Sequence, residues 1–128
     1  MKLYLPLGVI VRKVIGLANT MFMFRDAPIF DYNEVLSRIL RYGGGNIVMT
    51  VPVSNSGLVV CMEKYFFRND NYAAVTIVFD NINNGNRVSI VGYGGGDGVL
   101  NISFGANYDY ARGIADILCS DYGYYYCN

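Results

Sequence analysis

A stripe of apolar residues at helical spacing follows a polar residue about a quarter of the way along the chain. The stripe consists of Val35, Leu36, Ile39 and Leu40. Asp31 stands before it as an N-cap, and Phe30 is placed to pack on Val35 as a hydrophobic staple. Gly43 follows as a C′ glycine. The pattern predicts a helix over residues 32–42.

Segments rich in apolar and β-branched residues come next, each bounded by turn residues. They are residues 46–53, 58–67, 72–79, 87–93 and 99–104. Pro52 marks the first of them as an edge strand or a strand end. Asn84-Gly85 predicts a hairpin turn between the third and the fourth. Because the turns are short, neighbouring strands are predicted to be antiparallel.

The pattern of the third strand is the clearest. Ala73, Val75, Ile77 and Phe79 alternate with less apolar residues and share one face. After the fifth strand a second helix is predicted to start near Asn107 as its N-cap. Its apolar stripe is Ala111, Ile114, Ala115 and Leu118.

Residues 1–24 are predominantly apolar. A helical face predicts a buried helix over about 9–23, and a strand near Leu3–Leu7 is an alternative. Lys2 followed by apolar residues resembles a secretory signal, although Arg12 and Lys13 lie where such a signal stays uncharged. The segment is too apolar to remain in water, so it is predicted to complete the core or to cover the other sheet face, in its own chain or in a second copy. Its deletion is predicted to cause aggregation.

These elements predict an α+β fold with two layers. The antiparallel sheet has four to five strands, with a helix before and a helix after, plus an N-terminal apolar helix or strand. The whole chain, 1–128, is predicted to be a single domain. It consists of the apolar segment 1–24, an α+β core over 31–119 and a tyrosine-rich tail over 120–128.

Composition and charge limit the partners. The chain has 128 residues, 53% of them hydrophobic, and a formal net charge of zero, which gives no reason to expect nucleic-acid binding. Residues 1–42 carry six basic and three acidic side chains, or +3, and the remainder carries −3. We expect the two parts to pack together and neutralise each other. The alternative is a basic face that contacts an anionic partner or a membrane surface, the latter through residues 1–24. Three cysteines suit a reducing, cytoplasmic compartment, with a Cys119–Cys127 pair left open.

Five glycines fall within residues 92–98. Their spacing matches neither a dinucleotide-binding fingerprint nor a phosphate-binding loop, and the run leads into a predicted strand rather than a helix. We therefore interpret it as a structural corner, with close approach to a ligand as the alternative. The candidate ligand or partner contacts are Tyr93, Gly94, Gly95, Gly96, Asp97, Tyr124 and Tyr125.

The chain contains no histidine. This excludes serine or cysteine nucleophiles activated by imidazole, and it excludes histidine metal sites. We predict no catalytic residues, no metal and no cofactor. The tail instead concentrates tyrosines, which suit interfaces because they combine apolar area with a polar tip.

The order of helix, antiparallel strands, Gly-Gly-Gly-x-Gly, strand and a Gly-Ala dipeptide at the head of the last helix resembles a family of small bacterial proteins of unknown function. The resemblance covers roughly residues 31–119, including "YGGGN" and "GYGGGDGVLNISFGAN". It implies one compact α+β domain and no specific activity.

Three functional hypotheses follow. The first is a non-enzymatic interaction or binding module that self-associates as a homo-oligomer. The second is a binder of a small apolar ligand in a groove near the Gly92–Gly98 corner. The third is an enzyme that uses carboxylates or tyrosine.

Overall fold

A computed structural model describes residues 19–54, 56–66, 71–93 and 104–127. The elements in chain order are β1 (Asn19–Arg25), α1 (Tyr32–Gly43), β2 (Asn46–Val53), β3 (Gly57–Phe66), β4 (Asn71–Ile82), β5 (Gly85–Tyr93), α2 (Phe104–Tyr122) and β6 (Tyr125–Tyr126). The strands form one antiparallel sheet in the order β2-β3-β4-β5-β1-β6. The predicted α+β class is confirmed.

Within the described residues, the sheet has six strands rather than four to five. The additional strands are β1 and β6. Residues 19–23, predicted as part of a helix, belong to β1, which pairs with β5 on one side and with β6 on the other. Because residues 21–24 are apolar at every position, their periodicity does not distinguish a helix from a strand. Residues 9–18 and the alternative strand near Leu3–Leu7 lie outside the described residues.

The predicted strand over residues 99–104 is wrong at its last residue, because Phe104 opens α2, and residues 99–103 lie outside the described part of the chain. Asn107 is therefore inside the helix and is not its N-cap. Its side-chain oxygen accepts a hydrogen bond of 3.1 Å from the backbone amide of Ala74 in β4. A Cβ at Gly92 would lie 2.6 Å from the carbonyl oxygen of Asn107, so this glycine permits the close approach of α2 to β5.

Helix α1 begins as predicted, since the Asp31 carboxylate accepts a hydrogen bond of 3.3 Å from the Glu34 amide. The predicted staple is wrong, because Phe30 is 77% exposed and the neighbouring Ile29 is buried instead. Gly43 is still helical. Gly44, with φ of 75°, ends the helix and donates its amide to the Leu40 carbonyl oxygen.

The turn between β4 and β5 lies one residue earlier than predicted. Asn83 and Asn84 both have positive φ, 53° and 61°, and Gly85 already belongs to β5, opposite Ile82. Asparagine is the residue besides glycine that adopts this left-handed conformation most readily. The prediction for Pro52 is confirmed, because β2 is an edge strand.

The core lies between one face of the sheet and both helices. Ala73, Val75, Ile77 and Phe79 of β4 are fully buried, as the alternation predicts. The other buried apolar residues are Met21, Met23, Ile29, Val35, Leu36, Ile39, Val60, Met62, Val88, Ile90, Tyr110, Ala111, Ile114, Ala115, Leu118 and Tyr124. Each large side chain among them contributes about 1.5–3 kcal/mol through burial.

The tail packs on its own domain. Asp121 and Tyr122 complete α2, Tyr124 is buried, and β6 pairs with β1. Cys119 and Cys127 are free thiols.

Candidate interaction face

The sheet has a second face, on the side away from the helices, which we call the open face. In β4 its residues alternate with the core positions: Tyr72, Ala74, Thr76 and Val78. Val78 is 37% exposed, although Ile77 and Phe79 on either side of it are fully buried. The other exposed apolar side chains on this face are Met49, Val51, Val53, Tyr93 and Tyr125. Among the described residues, neither helix covers it.

One row of side chains crosses five strands of the open face. Its members are Met49, Cys61, Thr76, Val91 and Thr20, in register from β2 to β1. The Cys61 sulfur lies 3.9 Å from the Thr76 hydroxyl, and that hydroxyl donates to the Tyr93 phenol oxygen at 3.0 Å. The Cys61 and Thr76 side chains of the row thus contact each other, and its Met49 and Val91 side chains are apolar.

Paired side chains stand at the end of the open face nearest the β4–β5 turn. Arg87 and Asp80 form an ion pair of 3.0 Å across β5 and β4. The rings of Phe24 and Tyr125 meet edge to face, 6.1 Å between centroids. The Tyr125 phenol donates to Asp26 at 2.9 Å, and this hydrogen bond to a carboxylate raises the pKa of Tyr125.

A shallow hollow of about 340 Å³ lies at this end. It is lined by Phe22, Val53, Ser54, Val78, Phe79, Asp80, Arg87 and Ser89. Its apolar floor and its single ion pair fit an amphipathic group better than a charged one.

The structure does not bring the sequence-predicted contacts together. Tyr93 and Tyr125 both lie on the open face, but near opposite ends of β1, about six residues or roughly 20 Å apart along the strand direction. Tyr124 is buried. Gly94, Gly95, Gly96 and Asp97 lie outside the described residues, and the groove predicted at the Gly92–Gly98 corner falls mainly there.

Tyr124 belongs to a buried hydrogen-bond network. Its phenol donates to the side-chain oxygen of Asn86, and the Asn86 amide nitrogen donates to Tyr32 at 3.0 Å and to Asn81 at 2.7 Å. Burial raises the pKa of both Tyr124 and Tyr32. The phenols therefore stay neutral and act as structural links between the tail, α1 and the β4–β5 hairpin.

A second polar cluster joins α1 to α2. Arg38 bridges Glu34 and Asp121, at 3.4 Å each, and the Tyr122 phenol donates to Glu34. Burial, assisted by the Glu34 carboxylate, raises the pKa of Tyr122 to about 12. Burial also raises the pKa of Tyr110 to about 12. Neither phenol is poised to exchange a proton near neutral pH.

Two further kinds of site are absent from the described part of the chain. No three of its cysteine, aspartate and glutamate residues are grouped to hold a metal ion. Neither α1 nor α2 has the length and apolar character needed to cross a membrane.

A family model described as a family of unknown function (DUF6054) matches residues 46–120. The chain belongs to this family. The matched range of DUF6054 runs from β2 almost to the end of α2, so four consecutive strands of the open face, β2 to β5, lie within it, whereas β1, α1 and β6 lie outside. No curated protein and no solved structure matches the chain. The resemblance to a family of unknown function is confirmed, and its bacterial origin stays a prediction.

Sequence reasoning missed the residues at the centre of this face of the DUF6054 domain, above all Cys61, Thr76 and Val78. A signal was present, because residues 58–62 and 75–79 are apolar or nearly so on both sides of the strand. Such strands are typical of sheets that are covered on both faces.

Proposed function

We propose that this DUF6054 domain is a non-enzymatic interaction module that self-associates through its open face. The observation that carries the proposal is the exposure of apolar side chains from β2, β4, β5 and β6 on one side of the sheet. Contiguous apolar surface of this kind marks protein contacts in soluble domains.

The size of the face supports a partner of the same kind. Six strands spaced about 4.8 Å apart span roughly 24 Å, and eight residues of strand span roughly 26 Å. Each copy then offers about 600 Å², and two copies together bury about 1,200 Å², the lower end of the range for specific interfaces. The association is therefore expected to be reversible and dependent on concentration.

The face is a better docking surface than the exposed edge. Among the described strands, β2 has no sheet partner on its outer side, which invites the addition of another strand. However, the register shifts between Ile47 and Met49, and Pro52 has no N–H to donate. These features limit the outward hydrogen bonds of β2, so packing of face against face is favoured over pairing of edges.

The proposal that the domain is non-enzymatic is supported by polar side chains that already have bonding partners. The phenols with strongly raised pKa values, Tyr110, Tyr122 and Tyr124, are each hydrogen-bonded to a neighbouring group. The charged pair on the open face, Arg87 and Asp80, is already satisfied. Groups that are hydrogen-bonded or ion-paired in this way stabilise a fold.

The test is the mass of the full chain in a dilution series, measured by light scattering and native mass spectrometry. We expect a dimer that dissociates on dilution. Val78→Lys places a charge at the centre of the face and should weaken the dimer at least about tenfold. The control is Tyr42→Lys, because Tyr42 is 64% exposed on α1, away from the sheet.

The circular-dichroism spectrum of each variant must match that of the parent chain before its mass is interpreted. A parent chain that stays monomeric at the highest concentration contradicts the proposal. An equal effect of the two lysine substitutions contradicts it as well.

The hollow favours a second candidate function, the binding of a small apolar ligand. It would hold such a ligand beside Phe22 and Val78, rather than at the glycine corner. Native mass spectrometry of freshly purified protein tests this, because a retained ligand adds a fixed mass that disappears on denaturation. Val78→Lys should abolish that added mass, and its retention in the variant would exclude the hollow as the binding site.

A further inference from the structure

We infer that residues 1–18 lie on the open face of their own chain and compete there with the second copy. That residues 1–18 occupy the open face does not depend on the proposed self-association. That they compete with a second copy rests on the proposed self-association, and it assigns a regulator to the same surface.

The segment joins the sheet at β1, a strand that contributes to the open face. Residue 18 leads directly into β1, and Thr20 stands in the same row as Cys61, across β5 and β4. Three strand spacings, about 14 Å, separate these two positions. A helix covers that distance in about nine residues and an extended chain in four or five, so the segment reaches the middle of the face.

The face of the sheet that packs against the helices has no room for the segment. Between the sheet and the helices, Met23, Ile77, Val88 and Ile90 are fully buried against residues of α1 and α2. Interiors packed in this way do not accept further side chains without displacing those present. Among the described residues, the open face is the remaining large apolar surface of the sheet.

The composition of the segment suits the open face. Its apolar residues include Val9, Ile10, Val11, Val14, Ile15 and Leu17. Burial of each such side chain is favourable, and exposure of all of them is not. The strands beneath are apolar on the open side as well, from Val51 and Val59 to Val78 and Val91. Two apolar surfaces joined by a peptide bond are expected to associate.

The charges of the segment and of the rest of the chain are opposite in sign. Residues 1–18 hold Lys2, Arg12 and Lys13 and no acidic residue. Since the ten basic and ten acidic residues of the chain cancel, residues 19–128 carry a net charge of −3. Glu63 stands two residues from Cys61 on the same side of β3, and it forms no ion pair with another described residue. The charges of the segment and of the domain thus attract each other.

The segment is expected to compete with a second copy because it is covalently joined to the domain. Because the segment is joined directly to β1, its effective concentration is in the millimolar range, whereas a second copy is present at its actual concentration. The segment is therefore expected to hold the face at low protein concentration, and the second copy to displace it as the concentration rises.

The first experiment measures the reactivity of the Cys61 thiol in the full chain, with Cys119→Ala and Cys127→Ser as background. The reagent is a water-soluble aromatic disulfide, and the protein is kept at a concentration where its mass is that of a monomer. Val11→Asp combined with Ile15→Asp puts two carboxylates into the segment. We expect Cys61 to react at least about tenfold faster in this variant, because an ionised side chain resists burial on an apolar surface.

The matched control is Ser37→Asp combined with Tyr42→Asp, which adds the same charge on the exposed side of α1. It should leave the rate unchanged. An equal rate in parent, segment variant and control overturns the inference.

The second experiment does not depend on destabilising the segment. Val11→Cys or Ile15→Cys is introduced into the same background, and a short bis-maleimide is added to the monomeric protein. We expect an intramolecular crosslink to Cys61 at one of the two positions, identified by peptide mass. The absence of a crosslink from both positions overturns the inference.

The two proposals fail in different ways. If the segment variant reacts faster at Cys61 but every form stays monomeric, the inference about the occupant holds and self-association is wrong. If the parent dimerises and the segment variant dimerises at the same concentration with the same thiol rate, self-association holds and the regulatory inference is wrong. Both hold if the segment variant reacts faster and dimerises at a lower concentration.

Discussion

Asn86 is fully buried and is bonded to three other side chains, which makes it the most connected polar residue of the described core. Asn86→Ala leaves the Tyr124 phenol without its acceptor in the interior. A buried polar group that loses its partner costs about 1–3 kcal/mol. We expect the free energy of unfolding, measured in urea, to fall by this amount.

The same residue permits an internal control. Tyr124→Phe removes the orphaned hydroxyl, so Asn86→Ala combined with Tyr124→Phe should cost less than the sum of the two single changes. Asn33→Ala, at an exposed position of α1, should change stability by less than about 0.5 kcal/mol. Strict additivity of the two core changes would show that the hydrogen bond between Asn86 and Tyr124 carries no coupling energy.

At the scale of elements, tyrosine side chains connect the helices to the rest of the domain, and their pKa values report on these contacts. Burial raises the pKa of Tyr110 and of Tyr122 to about 12, whereas an unfolded tyrosine titrates near 10. The folded state therefore favours the neutral phenols. Their contribution to stability is complete below pH 10 and is lost as the pH rises towards 12.

We accordingly expect the free energy of unfolding to decline between about pH 10 and 12. The ultraviolet absorbance of phenolate should show a late step in this range for the folded protein. Tyr110→Phe combined with Tyr122→Phe should remove two phenols from that step. A folded protein whose tyrosines all titrate near pH 10 would contradict the burial of both phenols.

The elements differ in how far the sequence determines them. Strand β4 was predictable because its core positions alternate with less apolar ones, and α1 because Asp31 and an apolar stripe agree. Strand β1 was not, because residues 21–24 satisfy both periodicities and only pairing with β5 and β6 decides between them. The start of α2 was missed because Asn107, a good N-cap by type, is used to bond the backbone of β4 instead.

The candidate site was predicted less well than the fold, for a physical reason. Glycine and tyrosine are recognisable in a sequence as residue types. A docking face instead exists where no other element of the fold packs on the sheet. Val51, Val78 and Cys61 are ordinary strand residues, and they become a surface only because both helices pack on the opposite side. That arrangement depends on helix placement, which local patterns do not encode.

At the scale of the whole molecule, two shortened chains separate the role of β1 from that of the segment before it. A chain of residues 25–128 lacks all of β1 except Arg25, and therefore Met21 and Met23 of the core. It leaves β6 without its described partner and β5 paired with β4 alone. We expect this chain to aggregate, as the sequence alone predicts, but because the sheet itself is broken. A chain of residues 19–128 keeps every described element and should retain its circular-dichroism spectrum.

What the chain of residues 19–128 loses is the occupant that we assign to the open face. We expect it to bind a hydrophobic dye such as anilinonaphthalene sulfonate more strongly than the full chain and to dimerise at lower concentration, because Val51, Val78 and their neighbours then face water. Dye fluorescence and light scattering on the two shortened chains and the full chain provide the comparison. Equal dye binding by residues 19–128 and by the full chain would mean that the first 18 residues do not cover the sheet, and the open face would then be available to a partner at every concentration.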